Sequence, residues 1–236
     1  ISHNTMFTTL SCTNTQLSAL NIKNGNNTHI NYFSATNNPS LTCIQVDDPA
    51  YMDANWSSGK DATASYNEDC ANGYIVNIPD ANFKAALLAD ASINTNNDGE
   101  ISVAEAETYS GDIAVAFKGI NDLTGIEKFT GITSLNCSYN SLTNLDFSEN
   151  KALTFLDCSG MNTLTALNIL ENTALESLNC DGSALTILDV SKNVALTYLN
   201  CNSNSLTSLD VSSNISLTDL WCSNNSLSSL KLTGAN

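Results

Sequence analysis

Five cysteines recur at nearly constant spacing in the second half of the chain, and they constrain the fold more than any other feature. They are Cys137, Cys158, Cys180, Cys201 and Cys222, separated by 21, 22, 21 and 21 residues. A leucine stands two residues before each of them. A period of this length is typical of a solenoid, in which one coil of chain cannot bury its own apolar side and must stack on its neighbours.

Each period contains two offset copies of one pattern. The first reads Leu-x-x-Leu-x-Cys-x-x-Asn-x-Leu, and a second copy, LTNLDFSENKAL, begins at Leu142. Because side chains alternate along a strand, Leu135 and Cys137 should point inward and Asn136 outward. The sequence therefore predicts two short parallel strands per coil. Side chains on in-register strands point the same way, so the cysteine column is predicted to be a row of buried free thiols.

This pattern resembles the nested, two-faced leucine-rich repeats of secreted bacterial surface proteins. The resemblance implies a repeat solenoid that is mainly β with a small α-helical segment, an extracellular location and a structural or adhesive role. It divides the chain into three regions: residues 1–70, the end of an array with its C-terminal cap; residues 71–128, a linker and a helical N-terminal cap; and residues 129–236, a second array.

The segment from Leu41 to Cys70 departs from the repeat and resembles the C-terminal cap of these proteins. Such a cap covers apolar surface and strand edges that the last coil would otherwise expose to water. Trp56 and Tyr66 are candidates for that covering. Cys43 and Cys70 lie outside the cysteine column, and a disulfide between them would fix the cap in an oxidising compartment. The alternative is two unpaired thiols.

A twelve-residue segment that begins at Asn94 matches the EF-hand calcium loop, with Gly99 at the sharp turn. A helix is predicted before it, with Asp80 as N-cap, and a shorter one after it. Asn94 stands where Asp is usual, which predicts a weak, structural calcium site. The alternative is an Asn-Asp-Gly turn and a capping box that match without metal. The candidate ligands are Asn94, Asn96, Asp98, Glu100 through its carbonyl, Ser102 and Glu105.

An outward-facing stripe of aromatic residues is the candidate binding face. Phe155, Tyr198 and Trp221 fall at outward positions of the first strand of their coils. They predict contact with a protein or a glycan at the cell surface. In an alternative interpretation, Trp221 is covered by the next copy in a tandem, because the chain begins and ends within an array. End-to-end stacking of arrays would then build a filament or stalk.

Composition and motifs exclude several other functions. The chain has eight Lys, no Arg and twenty-four Asp and Glu, for a formal charge of −16, so nucleic acid and anionic membranes are unsuitable partners. No apolar run is long enough for membrane insertion. No signal peptide is visible, which predicts a piece of a longer precursor. His3 and His29 stand in no catalytic setting. We therefore expect a protein without enzymatic activity, at most a glycan-binding module appended to a secreted enzyme.

Overall fold

The computed structural model describes residues 4–68, 70 and 75–232, and these residues form two compact units. The first unit contains residues 4–68, 70, 75 and 102–104, and the second contains residues 76–101 and 105–232. Residues 76–101, which include the longer helix before the second array, are therefore part of the second unit, and the helix over residues 103–108 has residues in both units. Three parts of the predictions lie outside the described residues: His3, the start of the predicted linker at residues 71–74, and residues 233–236 of the predicted second array.

The first unit is built from short parallel strands and one helix. Strand β1 pairs with β3, and β4 lies between β2 and β5. Leu10 lies beside Phe33 in the first of these pairs, so Phe33 takes the place that the repeat gives to leucine. The elements are β1 Thr9–Ser11, β2 Leu20–Asn21, β3 Tyr32–Ser34, β4 Cys43–Gln45, α1 Pro49–Trp56 and β5 Ser65–Asn67, with short 3₁₀ helices at Asn27–His29 and Ser57–Gly59.

The cap of the first unit packs its aromatic residues into the core. Tyr66 is buried, its ring lies edge-on to Phe33 at 5.9 Å, and its hydroxyl donates to the Trp56 carbonyl at 2.8 Å. Cys43 and Cys70 are joined by a disulfide, with Cα atoms 5.7 Å apart. The disulfide ties β4 to a residue 27 positions further along the chain. Closing a loop of this length removes conformational freedom mainly from the unfolded chain.

The second unit carries two columns of parallel strands. One is a six-stranded sheet in the order β14-β12-β11-β9-β7-β6, and the other comprises the pairs β8–β10 and β13–β15. The elements are α2 Ala81–Leu88, α3 Val103–Thr108, β6 Asp112–Ala114, β7 Ser134–Asn136, β8 Asn144–Asp146, β9 Phe155–Asp157, β10 Ala166–Asn168, β11 Ser177–Asn179, β12 Tyr198–Asn200, β13 Ser208–Asp210, β14 Asp219–Trp221 and β15 Ser229–Lys231, with a 3₁₀ helix at Ile126–Lys128. Among the described residues, no helix is long and apolar enough to cross a membrane.

The inward side of the six-stranded sheet carries a column of leucines, and a column of cysteines lies beside it. Leu156, Leu178 and Leu199 are register partners with no exposed surface. The cysteines two residues further on in the chain are free, and only the outermost, Cys222, is partly exposed. Burial raises the pKa of the Cys137 thiol to about 12 and holds the pKa of Cys158 well above its ordinary value. These thiols therefore act as small apolar groups at neutral pH.

Two columns of buried asparagines hold the turns together. In the first column, Asn140 donates through Nδ2 to the Val115 carbonyl at 2.8 Å and accepts from the Ile120 amide at 3.0 Å. In the second, Asn172 donates to the carbonyls of Phe147 at 3.0 Å and Asn150 at 2.7 Å. Each side chain thus satisfies backbone groups that water cannot reach. The Oδ1 atoms of the second column, at Asn150, Asn172, Asn193 and Asn214, have no partner among the described residues.

The predicted mainly β leucine-rich-repeat fold is confirmed, with local differences. The second strand predicted around Leu188 is absent from the coil of residues 180–193, although Leu188 still points inward and is 7% exposed. Ile187 beside it is 78% exposed. This gap divides the second column into two separate pairs. Helix α2 ends at Leu88, and residues 89–93 separate it from the loop that begins at Asn94, so the helix does not run directly into the loop as in a full EF-hand.

Candidate functional site

The outward face of the six-stranded sheet is the main candidate site. Its strands each direct the first and third residue outward and the residue between them inward, which is Ile113 in β6 and leucine in the other five. Phe155, Ser177 and Tyr198 form one outward row across β9, β11 and β12. Trp221 lies in the other row, beside Asn200. Phe155 and Tyr198 are two strands apart, or about 10 Å, with the small Ser177 between them.

The three aromatic residues predicted from the sequence therefore share one face without stacking on each other. Trp221 is 54% exposed and Phe155 is 38% exposed, whereas Tyr198 is half-buried. The ring pairs among the described residues are Phe33–Tyr66, Tyr109–Phe129 and Phe117–Tyr139, and none belongs to this face. Separate, half-exposed aromatic rings leave room for a partner's side chains to insert between them.

The charge on this face has one sign. Asp112, Asp157 and Asp219 are outward residues of β6, β9 and β14. None of the eight lysines lies in the six strands. The face is therefore aromatic and acidic, which favours a partner with neutral or positive groups.

A stacked aromatic pair, Phe117 and Tyr139, was missed by sequence reasoning. Their rings are parallel within 8° with centroids 4.2 Å apart, and the side chains are 72% and 53% exposed. Both residues have left-handed backbones, with φ of 56° and 54°. The equivalent residues of the later coils are Gly160, Gly182, Ser203 and Asn224. A Cβ on Gly160 would lie 2.6 Å from the Tyr139 ring, so this glycine makes room for it.

The backbone conformation of this pair opposes stability. A non-glycine residue in the left-handed region costs about 1–2 kcal/mol, and a stacked aromatic pair contributes about 0.5–1.5 kcal/mol. Two strained residues therefore outweigh one exposed stack. The signal in the sequence was available: aromatic residues at 117 and 139 stand where the repeat otherwise places glycine, serine or asparagine.

The candidate calcium loop brings Asn94 and Glu105 into the protein interior, where they are 5% and 6% exposed. Glu105 Oε1 accepts hydrogen bonds from the Thr95 amide at 2.8 Å and the Asn96 amide at 3.3 Å, which closes the loop on itself. Asn96 Oδ1 accepts from the Asp98 amide at 3.0 Å. Asn96 and Asp98 are exposed, whereas the two ends of the loop are buried.

One buried atom of the loop is of the type that a cation would bind. Among the described residues, Asn94 Oδ1 has no hydrogen-bond partner, although it is shielded from solvent. A buried oxygen without a donor is costly, and calcium takes amide and carboxylate oxygens. Glu100 pairs through its side chain with Lys84 at 2.5 Å, which leaves its carbonyl for the role predicted from the sequence. Ser102 is buried, at 1% exposed.

The comparisons with known proteins agree with this fold. Internalin J of Listeria monocytogenes is 41% identical to the chain over 72 residues, which are 30% of this chain and 8% of internalin J. The solved functional domain of internalin J, which includes a cysteine ladder, superimposes with a TM-score of 0.58 and 43% identity over 66% of this chain and 33% of that one.

The fold is a bacterial leucine-rich-repeat solenoid. An internalin (inlF) of the same organism is 20% identical, with a TM-score of 0.42, over 66% of this chain and 63% of its own. No protein-family profile matches the sequence. The chain spans about a third of the solved internalin J domain and less than a tenth of the whole internalin J chain, so neither similarity fixes what this chain binds.

Proposed function

We propose that this chain is a non-catalytic, extracellular interaction scaffold, and that the outward face of the six-stranded sheet binds a protein at a cell surface. The observation that carries the proposal is the placement of Phe155, Tyr198 and Trp221 on one acidic, lysine-free face of a rigid sheet. Aromatic residues on such a platform are the usual centres of binding energy in protein interfaces. The similarity to the functional domain of internalin J supports the same kind of role.

Replacing Tyr198 and Trp221 together by alanine is expected to lower binding of the labelled chain to intact cells by at least about tenfold. The measurement uses a panel of bacterial and animal cells, each with and without trypsin treatment. Ile187→Ala is the matched control, because Ile187 is an exposed apolar residue outside the six-stranded sheet. Equal binding of the double variant would contradict the proposal. Binding that survives trypsin and is lost after periodate treatment would replace the protein partner by a glycan.

A second candidate function is end-to-end stacking into a filament, and the last described coil favours it. Leu230 and Leu232 are 43% and 46% exposed, whereas Leu209, the register partner of Leu230, is 2% exposed. A further parallel coil, from a second copy of this chain, would cover these leucines and the open edges of β14 and β15. Sedimentation should then show concentration-dependent growth that Leu230→Glu abolishes. A monomer at all concentrations would contradict this candidate.

We propose in addition that calcium stabilises the loop around Asp98. Asn94, Asn96, Asp98 and Glu105 would hold the ion, with the Glu100 carbonyl and Ser102 completing the predicted set. The bound ion would supply charge to a loop that otherwise contains a buried amide oxygen without a donor. Its role is structural, since it would join the two flanking segments of the loop.

Calorimetric titration of the chelator-treated protein is expected to show one calcium site with Kd of about 10⁻⁴–10⁻³ M. Asn94→Asp should bind at least about tenfold more tightly, because it restores the carboxylate that this position carries in strong loops. Glu105→Gln should abolish the heat. Ser92→Ala is the control outside the loop. If neither the parent chain nor Asn94→Asp shows a heat of calcium binding, the calcium proposal is contradicted.

A further inference from the structure

The six-stranded sheet has an open backbone edge at β6. This strand pairs with β7 and with no other described strand. The Val115 amide donates to the Asn136 carbonyl at 2.8 Å, and the Phe117 amide donates to the Ser138 carbonyl at 3.1 Å. Because alternate residues of a parallel strand direct their polar groups to opposite neighbours, the amide and carbonyl of Ala114 face the open side.

A hollow of about 350 Å³ lies along this open edge. Its far wall is the end of helix α2 and the residues after it, where Ala86, Ala89 and Ala91 contribute only methyl groups. Small side chains on the wall leave the space beside the β6 backbone unfilled. The hollow can therefore admit another extended chain next to β6.

The two ends of this hollow differ in the side chains that they present. At the start of β6, the Tyr109 hydroxyl donates to the Asp112 carbonyl at 2.9 Å and lies 3.4 Å from Asp90 Oδ2. The Ser92 hydroxyl and amide bond Asp90 Oδ1, and these bonds lower the pKa of Asp90, so its carboxylate stays charged. This end carries two fixed negative charges, Asp90 and Asp112, both of which line the hollow.

The aromatic pair stands at the other end of the same strand. Phe117 follows Val115, the last residue that lines the hollow, by two positions. One face of its ring stacks on Tyr139, and no other ring among the described residues stacks on it. An exposed ring held in a strained backbone at the end of an open edge is suited to contact with a bound chain.

We propose that the β6 edge is a second interaction surface, which takes an extended segment of a partner protein as an added strand. The segment carries a lysine or arginine at the end that meets Asp90 and Asp112, and an aromatic side chain at the end that meets Phe117. Main-chain hydrogen bonds to Ala114 hold it, and its end residues select it. This surface is separate from the aromatic residues of the outward sheet face, so either surface can fail alone.

The probe is a labelled hexapeptide, Lys-Thr-Val-Thr-Val-Tyr, which spans the six positions from Asp112 to Phe117 when it pairs in parallel. Its reversed sequence tests antiparallel pairing. Fluorescence polarisation with the full chain should show saturable binding of one of the two. Replacing the peptide lysine by glutamate should weaken binding by at least about threefold at low salt. Methylating alternate backbone amides of the peptide should weaken it by at least about tenfold.

Two variants locate the site. Ala114→Pro removes an amide that the fold does not use, which an edge strand tolerates, and should weaken binding by at least about tenfold. Phe117→Asn relieves the left-handed backbone and should weaken binding by at least about threefold without lowering the melting temperature. Phe117→Asn still tests the proposal if Ala114→Pro does not fold. Ile187→Ala, an exposed position outside the six-stranded sheet, is the control and should bind as the parent does. Absence of saturable binding by both peptides, or equal affinity for the parent and Phe117→Asn, overturns the proposal.

Discussion

Raising the pH from about 7.5 to about 10 is expected to lower the free energy of unfolding of the second unit by about 6 kcal/mol. Burial holds the pKa of four thiols far above the ordinary value of 9, and these thiols are Cys137, Cys158, Cys180 and Cys201. Above pH 9 these thiols ionise in the unfolded chain and stay protonated in the fold. The unfolded state then binds fewer protons, so stability falls as the pH rises. One unit above the ordinary pKa, each thiol contributes about 1.4 kcal/mol.

Urea unfolding of a Trp56→Phe variant measures this loss, because Trp221 is then the one remaining tryptophan and reports on the second unit. Tyrosines and lysines also titrate in this range, so the control is a difference. The part of the pH-dependent loss that comes from the thiols should be about one quarter smaller in Cys158→Ala than in its parent, since one of four buried thiols is removed. An identical pH dependence in both proteins would show that the Cys158 thiol is not buried in the way described.

Replacing Asn172 by alanine is expected to destabilise the second unit by about 2 kcal/mol. Asn172 has no exposed surface, and its Nδ2 donates to the carbonyls of Phe147 and Asn150. Each carbonyl also accepts from a backbone amide, that of Asn150 at 2.9 Å and that of Leu153 at 3.2 Å, so neither is left without a donor. The variant therefore loses two buried hydrogen bonds, each worth about 0.5–1.5 kcal/mol, and the lost volume adds a smaller cost. Neither carbonyl can turn toward water, because both belong to the turns between stacked coils.

The matched control is Asn162→Ala, in the same coil as Asn172. Asn162 is exposed, so its loss should change the free energy of unfolding by no more than about 0.5 kcal/mol. Urea unfolding followed by Trp221 fluorescence compares the two variants. Similar small effects for both would mean that the second asparagine column does not support the turns.

The repeat made much of this fold predictable. The period fixed which leucines and cysteines face inward, because a slip of one residue would turn a whole strand over. The N-cap at Asp80 was also predictable, since its side chain accepts from the amides of Asn82 and Phe83. The exposed positions of Phe155 and Trp221 followed from the same alternation. Where the pattern repeats, the alternation along each strand and the packing between coils place the same residues in the core.

Features that occur only once in the chain and do not recur with the repeat were not predictable. Helix α1 was missed because only Met52 is buried along it, so no helical period shows; its signal was Asp48 before Pro49. The lost strand around Leu188 depends on pairing with neighbours rather than on its own residues. The stack of Phe117 on Tyr139 and the open β6 edge arise from the contact between coils, which no single repeat encodes.

Counting reactive thiols tests the central claim, a stacked solenoid with a buried column of free cysteines, most directly. The native chain is treated with a thiol-reactive chromogenic disulfide without reductant, and then treated again in denaturant. Only Cys12 and Cys222, which are partly exposed, should react in the native protein, and all six free cysteines should react after unfolding. Reaction of Cys137, Cys158, Cys180 and Cys201 at the same rate in the native chain would contradict the account. So would fewer than six reactive thiols in denaturant, because the column would then be paired.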